Sequence, residues 1–363
     1  MLTEEERYRY SRHIKLNEVG ESGQQKLKHA NVLVIGAGGL GCPVLQYLSA
    51  AGVGTIGIID FDTIELSNLQ RQILFTTEDI GKNKAKVAAK WLSGLNPNVD
   101  YIVYPERLTT KNALSLFNDF DIVVDGSDNF ATRYLANDAA VITNTPLVYG
   151  AIYKFEGQVS VFNYQNGPTY RCLYPDPPGY GAMTNCSDIG VLGVLPGMIG
   201  TYQANETLKI ILGIGEVLKG KLLLVKALNY ESQKLSVSKD QQEIDKVMSK
   251  ADEFENRDYD VLCTTNKTVV SEINASELKQ LLGNQNMTII DVRESFEEPR
   301  HKELNAKNVP LGVINSVDLE LPLDEQIVVY CQHGIRSKRA IEILKQKGYQ
   351  NLVNLTGGIV TWN

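Results

Sequence analysis

The sequence predicts an α/β protein of two unequal domains, and three observations predict it. Short apolar runs that read as buried strands alternate with helical patterns from Asn31 onward. A glycine-rich turn, Gly36-Ala-Gly-Gly-Leu-Gly41, follows the first of those runs. The rhythm breaks in a polar, charge-dense stretch after Lys239 and resumes near Thr268. At 363 residues the chain has room for two cores.

Composition narrows the class. Hydrophobic residues make up 43% and charged residues 22%, with a formal net charge of −7. Basic residues are scattered, the densest cluster being Lys82 to Lys86, so no nucleic-acid partner is expected. Five cysteines (Cys42, Cys172, Cys186, Cys263, Cys331) are widely spaced and form no C-x-x-C pair. That reads as a reduced, cytoplasmic protein. With only four histidines, no zinc is expected. The segment Val32 to Ile59 has no charged residue, yet seven glycines and Pro43 break it, and no membrane span is expected. The opening Met1-Leu-Thr-Glu-Glu-Glu-Arg7 lacks an apolar signal core.

Thr3-Glu-Glu-Glu6 offers an N-cap with acids in the first turn of a helix. Arg7 to His13 then reads either as a solvated helix face or as an arm presenting arginine, Arg12 included, to a phosphate. Asn31–Ile35, the glycine turn, a helix over Cys42–Ala51 and a strand over Thr55–Ile59 make a βαβ opening that ends on Asp60. Such glycines allow close approach to phosphate, the helix N-terminus supplies N–H donors, and an acid in the place of Asp60 suits a ribose hydroxyl. So far this indicates only a nucleotide. The sharper signal is Asp62, Asn68, Arg71 and Gln72 just beyond, polar groups that an ordinary dinucleotide enzyme has no need for.

Thr76–Leu95 reads as a helix carrying Lys84, a phosphate-reaching or a surface lysine. Tyr101–Tyr104 is a strand and Asn112–Phe117 a helix. Asp121–Asp125 is a buried strand ending in Gly126-Ser-Asp128-Asn129. Asp128 lies past the carboxyl end of a parallel strand and is either a magnesium ligand or the cap of the helix Phe130–Thr143. Pro146–Tyr149 and Gln158–Phe162 are strands, and Asn163–Asp188 is irregular, a length at which loops are functional or mobile. An apolar helix spans Pro196–Leu212, and Lys221–Ala227 pairs with Lys234–Val237. Gln241–Arg257 is expected to be a helical or mobile connector.

In the second region, strands are expected at Thr268–Glu272, Met287–Ile290, Ile327–Tyr330 and Leu352–Leu355, with helices at Ser276–Leu282 and Lys338–Lys347. Cys331 follows one strand and precedes a helix, in the loop Cys331-Gln-His-Gly334-Ile-Arg336-Ser337. Loop amides, a helix dipole and Arg336 would favour a thiolate and a bound anion there. The alternative is a buried strand-end cysteine, and the Gly334, Arg336, Ser337 pattern favours the reactive thiol.

These motifs carry a resemblance. Gly36–Pro43, Asp60–Gln72, Lys84 and Asp125–Arg133 resemble the MoeB/ThiF family of ubiquitin-activating-type adenylyltransferases. Cys331–Ser337, with Asp291–Glu294 and Gly357–Trp362, is similar to a rhodanese domain, and the two likenesses cover nearly the whole chain. They imply a Rossmann-like adenylation domain with a mixed sheet over residues 1–240, a connector over 241–266, and a small α/β rhodanese-like domain over 267–363.

The resemblance also implies roles. Gly36, Gly38, Gly39 and Gly41 would cradle ATP, Asp60 would hold the ribose, and Asp62 and Gln72 would also bind the nucleotide. Asn68, Arg71 and Lys84 would bind the phosphates, and Asp128 would hold Mg²⁺. Arg12 would reach into the partner protomer's site of a homodimer. Cys331 would carry the persulfide. Cys186 matches the family's cysteine on a mobile crossover loop, where it is either the site of a thioester or disulfide-linked intermediate or an unreactive loop cysteine. The implied partner is a small ubiquitin-like sulfur-carrier protein ending in Gly-Gly, with a persulfide or thiosulfate as sulfur donor. Thr169 stands where the family places the first cysteine of a zinc-binding pair with Cys172, and the second pair is absent near Cys263, so the family's zinc is not carried over. The stretch between Glu294 and Pro322 is short for a rhodanese domain. Two other readings compete: an NAD-dependent oxidoreductase, which lacks a hydride-transfer acid–base pair here, and a second domain serving only as an interaction module. The pathway served, that of molybdopterin, thiamine or another thiolation, is not specified.

Overall fold

The computed structural model describes residues 1–177, 190–259, 270–282, 287–321, 323 and 325–362. Cys186, Cys263 and the expected strand start at Thr268 lie outside the described residues. The described chain forms two compact units, the first running to residue 259 and the second starting at residue 270.

Three helices open the first unit: α1 (Glu4–Arg9), α2 (Ser11–Ile14) and α3 (Gly20–His29). Thr3 is the expected N-cap of α1, and with Glu6 it closes a capping box, each side chain accepting from the other's backbone N–H. Then follow β1 (Asn31–Ile35), α4 (Gly41–Ala51), β2 (Thr55–Ile59), α5 (Lys84–Leu95), β3 (Asp100–Tyr104), α6 (Ala113–Asp119), β4 (Ile122–Asp125), α7 (Phe130–Thr143), β5 (Leu147–Tyr153), β6 (Glu156–Phe162), α8 (Tyr170–Leu173), α9 (Val194–Leu212), β7 (Lys221–Lys226), β8 (Ser232–Ser236) and α10 (Gln241–Met248).

The strands form one sheet in the order β3-β2-β1-β4-β5-β6-β7-β8, parallel as far as β5 and antiparallel beyond it. Val34 of β1 is level with Ile58 of β2 on one side and Val124 of β4 on the other. Helices α3, α4, α5 and α9 pack on one face of this sheet and α6 and α7 on the other. With both faces covered, β1, β2 and β4 read as unbroken apolar runs rather than alternating ones. Strand order reverses between β1 and β4, which opens a crevice at their carboxyl ends.

One expectation changes. The helix expected from Thr76 starts only at Lys84, because Gly81 adopts φ +83° and the Asn83 side chain caps α5 by accepting from the Lys86 N–H at 3.1 Å. Residues Thr77–Asp79 form a separate 3₁₀ turn. The stretch expected as a helical or mobile connector is helical at its start, and over its described part it is docked: α10 packs on α7 and α8, and Val247 and Phe254 are buried. Its apolar residues were outnumbered by charges in the sequence, yet they fall on one face.

A buried ion cluster fastens that docked segment. Asp138 of α7, fully buried, accepts from Arg171 Nε (2.6 Å) and Nη2 (2.9 Å), Arg257 Nη1 (3.1 Å) and Tyr259 Oη (2.8 Å). One carboxylate thus holds the chain on both sides of β7 and β8. Two guanidinium groups and a hydroxyl satisfy its oxygens, the condition under which a buried charge is tolerated.

The second unit is a five-stranded parallel sheet. Its elements are β9 (Ser271–Ile273), α11 (Ala275–Leu281), β10 (Met287–Asp291), β11 (Lys307–Asn308), β12 (Gln326–Tyr330), α12 (Ile335–Gln346) and β13 (Leu352–Leu355). The strand order is β11-β10-β12-β13-β9. Helix α12 begins three residues before the expected Lys338, because Gly334, at φ +87°, turns the chain directly from the β12 loop into it. Among the described residues no helix is long and apolar enough to cross a membrane.

Candidate nucleotide and sulfur sites

The glycine turn sits at the reversal point of the large sheet. Gly36 has φ +87°, and a Cβ on Gly41 would fall 1.9 Å from the Gly36 carbonyl oxygen, so Gly41 is required by closure of the turn itself. Gly38 is different: a Cβ there would meet only Gln72 Nε2, at 3.8 Å. Gly39 packs toward Pro196 and the stem of Arg71. On the facing strand end, a Cβ on Gly126 would lie 2.9 Å from the Ile35 carbonyl oxygen, so β1 and β4 meet backbone to backbone.

Asp60 organises the floor. Its Oδ2 accepts from the Ala37 N–H of the turn at 2.8 Å and its Oδ1 from the Asp62 N–H at 2.9 Å. Burial pushes its carboxyl above the usual range, opposed by the Lys84 ammonium and by those two amides. Lys84, itself buried, pairs with Asp62 at 3.0 Å, while the Asn83 amide donates to the carbonyls of Asp60 (3.0 Å) and Asp62 (3.2 Å). The cap of α5 therefore delivers Lys84 to the end of β2.

The 3₁₀ turn Leu66–Asn68 carries the next group. Asn68 is buried, Arg71 Nη1 donates to the Ser67 carbonyl at 3.1 Å, and the N–H groups of Arg71 and Gln72 both donate to the Asn68 carbonyl. Gln72 is buried, and its Oε1 has no partner. Two more orphaned oxygens, Asp125 Oδ2 and Ser127 Oγ, lie buried at the end of β4. A ligand or solvent must satisfy such atoms.

Asp128 is exposed, and the cap of α7 is Asn129, whose Oδ1 accepts from the Thr132 N–H at 2.9 Å. The capping alternative for Asp128 is thereby removed. Arg12 is exposed on α2 and hydrogen-bonds to nothing among the described residues. Cys42, in the first turn of α4, is an inert core thiol: burial pushes it up to about 12. Thr169 and Cys172 close on each other, Thr169 Oγ1 lying 3.3 Å from the sulfur, which also accepts from the Asp240 N–H at 3.2 Å. No group of three His, Cys, Asp or Glu side chains able to hold a metal occurs among the described residues.

In the second unit Cys331 is buried at the end of β12. Its sulfur accepts from the Gly334 N–H at 3.1 Å and faces Ser337 Oγ at 3.5 Å, and that hydroxyl is oriented by Asn354 Oδ1 at 2.6 Å. Glycine is required at 358, where a Cβ would lie 2.6 Å from the Cys331 carbonyl oxygen. Arg336 does not leave its charge free for a bound anion: Nη1 and Nη2 donate to Glu297 at 2.5 and 2.6 Å. Behind the loop, buried Arg293 pairs with Asp291 at 2.9 Å and donates to Gln332 Oε1 at 3.1 Å. Glu297, Asn354 and Asp138 were not singled out from sequence, nor was Gln203, which donates to the Asp125 carbonyl at 2.7 Å. Only Gln203, a polar residue inside an apolar helix, left a readable trace.

Comparisons with known proteins give the family of each part of the chain. The model of the ThiF family matches residues 10–247, and that of the rhodanese-like domain matches residues 274–363. The probable adenylyltransferase/sulfurtransferase MoeZ of Mycobacterium tuberculosis is 41% identical, over 99% of this chain and 94% of its own. The sulfur carrier protein adenylyltransferase of Thermus thermophilus is 55% identical over 65% of this chain and 89% of its own. Among solved structures, E. coli MccB with MccA-N7isoASN has a TM-score of 0.58 at 24% identity, over 64% of this chain and 72% of that one, a likeness of fold. The chain belongs to the ThiF family, in its form joined to a rhodanese-like domain.

Proposed function

We propose that the first unit adenylates the C-terminal Gly-Gly carboxylate of a small ubiquitin-like sulfur-carrier protein, and that the second supplies sulfur from a Cys331 persulfide to give the thiocarboxylate. The observation that carries the first half is Asp60, bound to the glycine turn through the Ala37 N–H and set beside Lys84. A nucleotide cradle and a phosphate-seeking cation are thereby joined in one hydrogen-bonded unit.

In this reading the carrier carboxylate attacks the α-phosphorus of ATP, a new P–O bond forms, and pyrophosphate leaves. The protein positions the groups and neutralises charge, with little covalent work of its own. Asp60 takes the ribose hydroxyls, and Asn68, Arg71 and Lys84 take the phosphates. Arg12 serves the site of the partner protomer in a homodimer. Asp128, with Asp125 Oδ2 and Ser127 Oγ at the same strand end, is an oxygen-only donor set of the kind magnesium takes. Bound there, the ion would neutralise phosphate charge. Cys331–S–S⁻ then attacks the acyl-adenylate carbonyl and AMP leaves. An external thiolate bonds to the Cys331 sulfur of the resulting acyl disulfide, the S–S bond breaks and the thiocarboxylate leaves. A second thiol reduces the mixed disulfide and returns Cys331 to the thiol. The scarcity of cysteine pairs suits a reducing cytoplasm.

The test is ATP–pyrophosphate exchange. It should require a carrier ending in Gly-Gly and should fall at least about a hundredfold in Asp128→Ala. Exchange that needs no carrier, or that survives Asp128→Ala unchanged, rejects the reading.

A further inference from the structure

Arg336 is the only arginine or lysine of the 331–337 loop, and its guanidinium is already matched two-for-two by Glu297. Glu297 is held for that purpose, because its Oε1 also accepts from the Glu294 N–H at 2.8 Å. Hydrogen bonding to Arg336 holds the Glu297 carboxyl below its usual range, so it stays ionised. Nearby cations do not make up the deficit. Arg293 and Arg300 both pair with Asp291, and residues 291–300 carry four carboxylates against those two arginines.

Resting on the sulfurtransferase reading above, we propose that Glu297 is a specificity-determining residue, which excludes dianionic sulfur donors such as thiosulfate and selects a persulfide. The two donors make different demands. With thiosulfate, the Cys331 thiolate bonds to the sulfane sulfur, the S–SO₃ bond breaks, and sulfite leaves with both its charges. A free guanidinium stabilises that leaving group, and Glu297 removes the guanidinium from use while adding a like charge. With a persulfide R–S–SH, Cys331–S⁻ bonds to the outer sulfur, the donor S–S bond breaks, and R–S⁻ leaves with one charge. Cys331 is left as Cys331–S–SH, and no electrons are needed from elsewhere. The Gly334 N–H and Ser337 Oγ already facing the sulfur serve this transfer without Arg336.

The experiment compares thiosulfate with cysteine persulfide generated in situ, using full-length protein and intact-mass detection of one added sulfur on Cys331. Glu297→Gln should raise kcat/KM for thiosulfate by about tenfold or more and leave that for cysteine persulfide within about threefold. Adding Arg336→Ala to Glu297→Gln should abolish the gain. Glu297→Ala should behave as Glu297→Gln does. An unchanged thiosulfate rate, an equal rise for both donors, or loss of both in the two Glu297 variants overturns the proposal. Failure of the unsubstituted protein to take sulfur from either donor would instead remove the sulfurtransferase reading on which it rests.

Discussion

Gly41→Ala puts a methyl where the structure has backbone. The new Cβ would sit 1.9 Å from the Gly36 carbonyl oxygen, and no rotation removes it. An ordinary C···O contact needs about 3.3 Å, so the turn must open by about 1.4 Å. Four bonds resist: Gly36 N–H to Ile59 O (2.8 Å), Gly126 N–H to Ile35 O (2.8 Å), Cys42 N–H to Gly38 O (2.9 Å) and Ala37 N–H to Asp60 Oδ2 (2.8 Å). Breaking one or two of them while buried costs about 1–6 kcal/mol at 1–3 each. A nucleotide cradle displaced by about 1 Å should lose on the order of a hundredfold in ATP-dependent turnover. The assay is urea unfolding, with hydrogen exchange of the β1 and α4 amides, alongside carrier-dependent pyrophosphate exchange. Gly94→Ala in α5 is the control. A Cβ there meets nothing within 4 Å, so stability should rise by about 0.5–1 kcal/mol with exchange unchanged. If Gly41→Ala matches Gly94→Ala in both readouts, the reasoning from turn closure is refuted.

Asp138→Ala leaves two partly buried guanidinium groups without their carboxylate and the Tyr259 hydroxyl without its acceptor, and should cost the first unit about 3 kcal/mol in denaturant unfolding; a loss below about 1 kcal/mol would mean that the cluster is not what fastens residues 241–259. Asp79 gives a pH signature. Burial acts to raise its carboxyl, but the Thr76 N–H and hydroxyl, Lys82 and Trp91 outweigh it and hold the group at about 2. Because the folded value lies below the unfolded one, the stabilisation is present above about pH 4 and is lost as pH falls through about 2. Asp79→Asn should therefore cost about 1 kcal/mol at neutral pH and nothing at pH below about 2, and a gap that does not close on acidification contradicts the assignment.

What could be read from the chain was local. The run from Asn31 to Asp60 combines a period, a turn and an acid at a spacing that one physical arrangement explains, and β1, α4 and β2 form within one residue of the expected limits. The Cys331 loop was legible for the same reason, because strand, turn glycine and helix are contiguous. Partners far apart in sequence were not legible. Glu297 meets Arg336 across 39 positions and Asp138 meets Tyr259 across 121, and neither acid differs in sequence from a surface carboxylate. The helix after residue 240 was one of the expected forms, but its docking was not legible, since a few buried residues such as Phe254 decide docking while many exposed charges cost nothing.

The most direct test of the whole account is the product itself. A Gly-Gly carrier incubated with this protein, ATP, magnesium, a persulfide donor and a thiol should exchange one terminal oxygen for sulfur in its intact mass. With Cys331→Ala, pyrophosphate should still be released on the first turnover and no thiocarboxylate should form. Thiocarboxylate appearing at full rate in Cys331→Ala, or no ATP-dependent mass change with any Gly-Gly carrier, would contradict the assignment of adenylation to one unit and sulfur supply to the other.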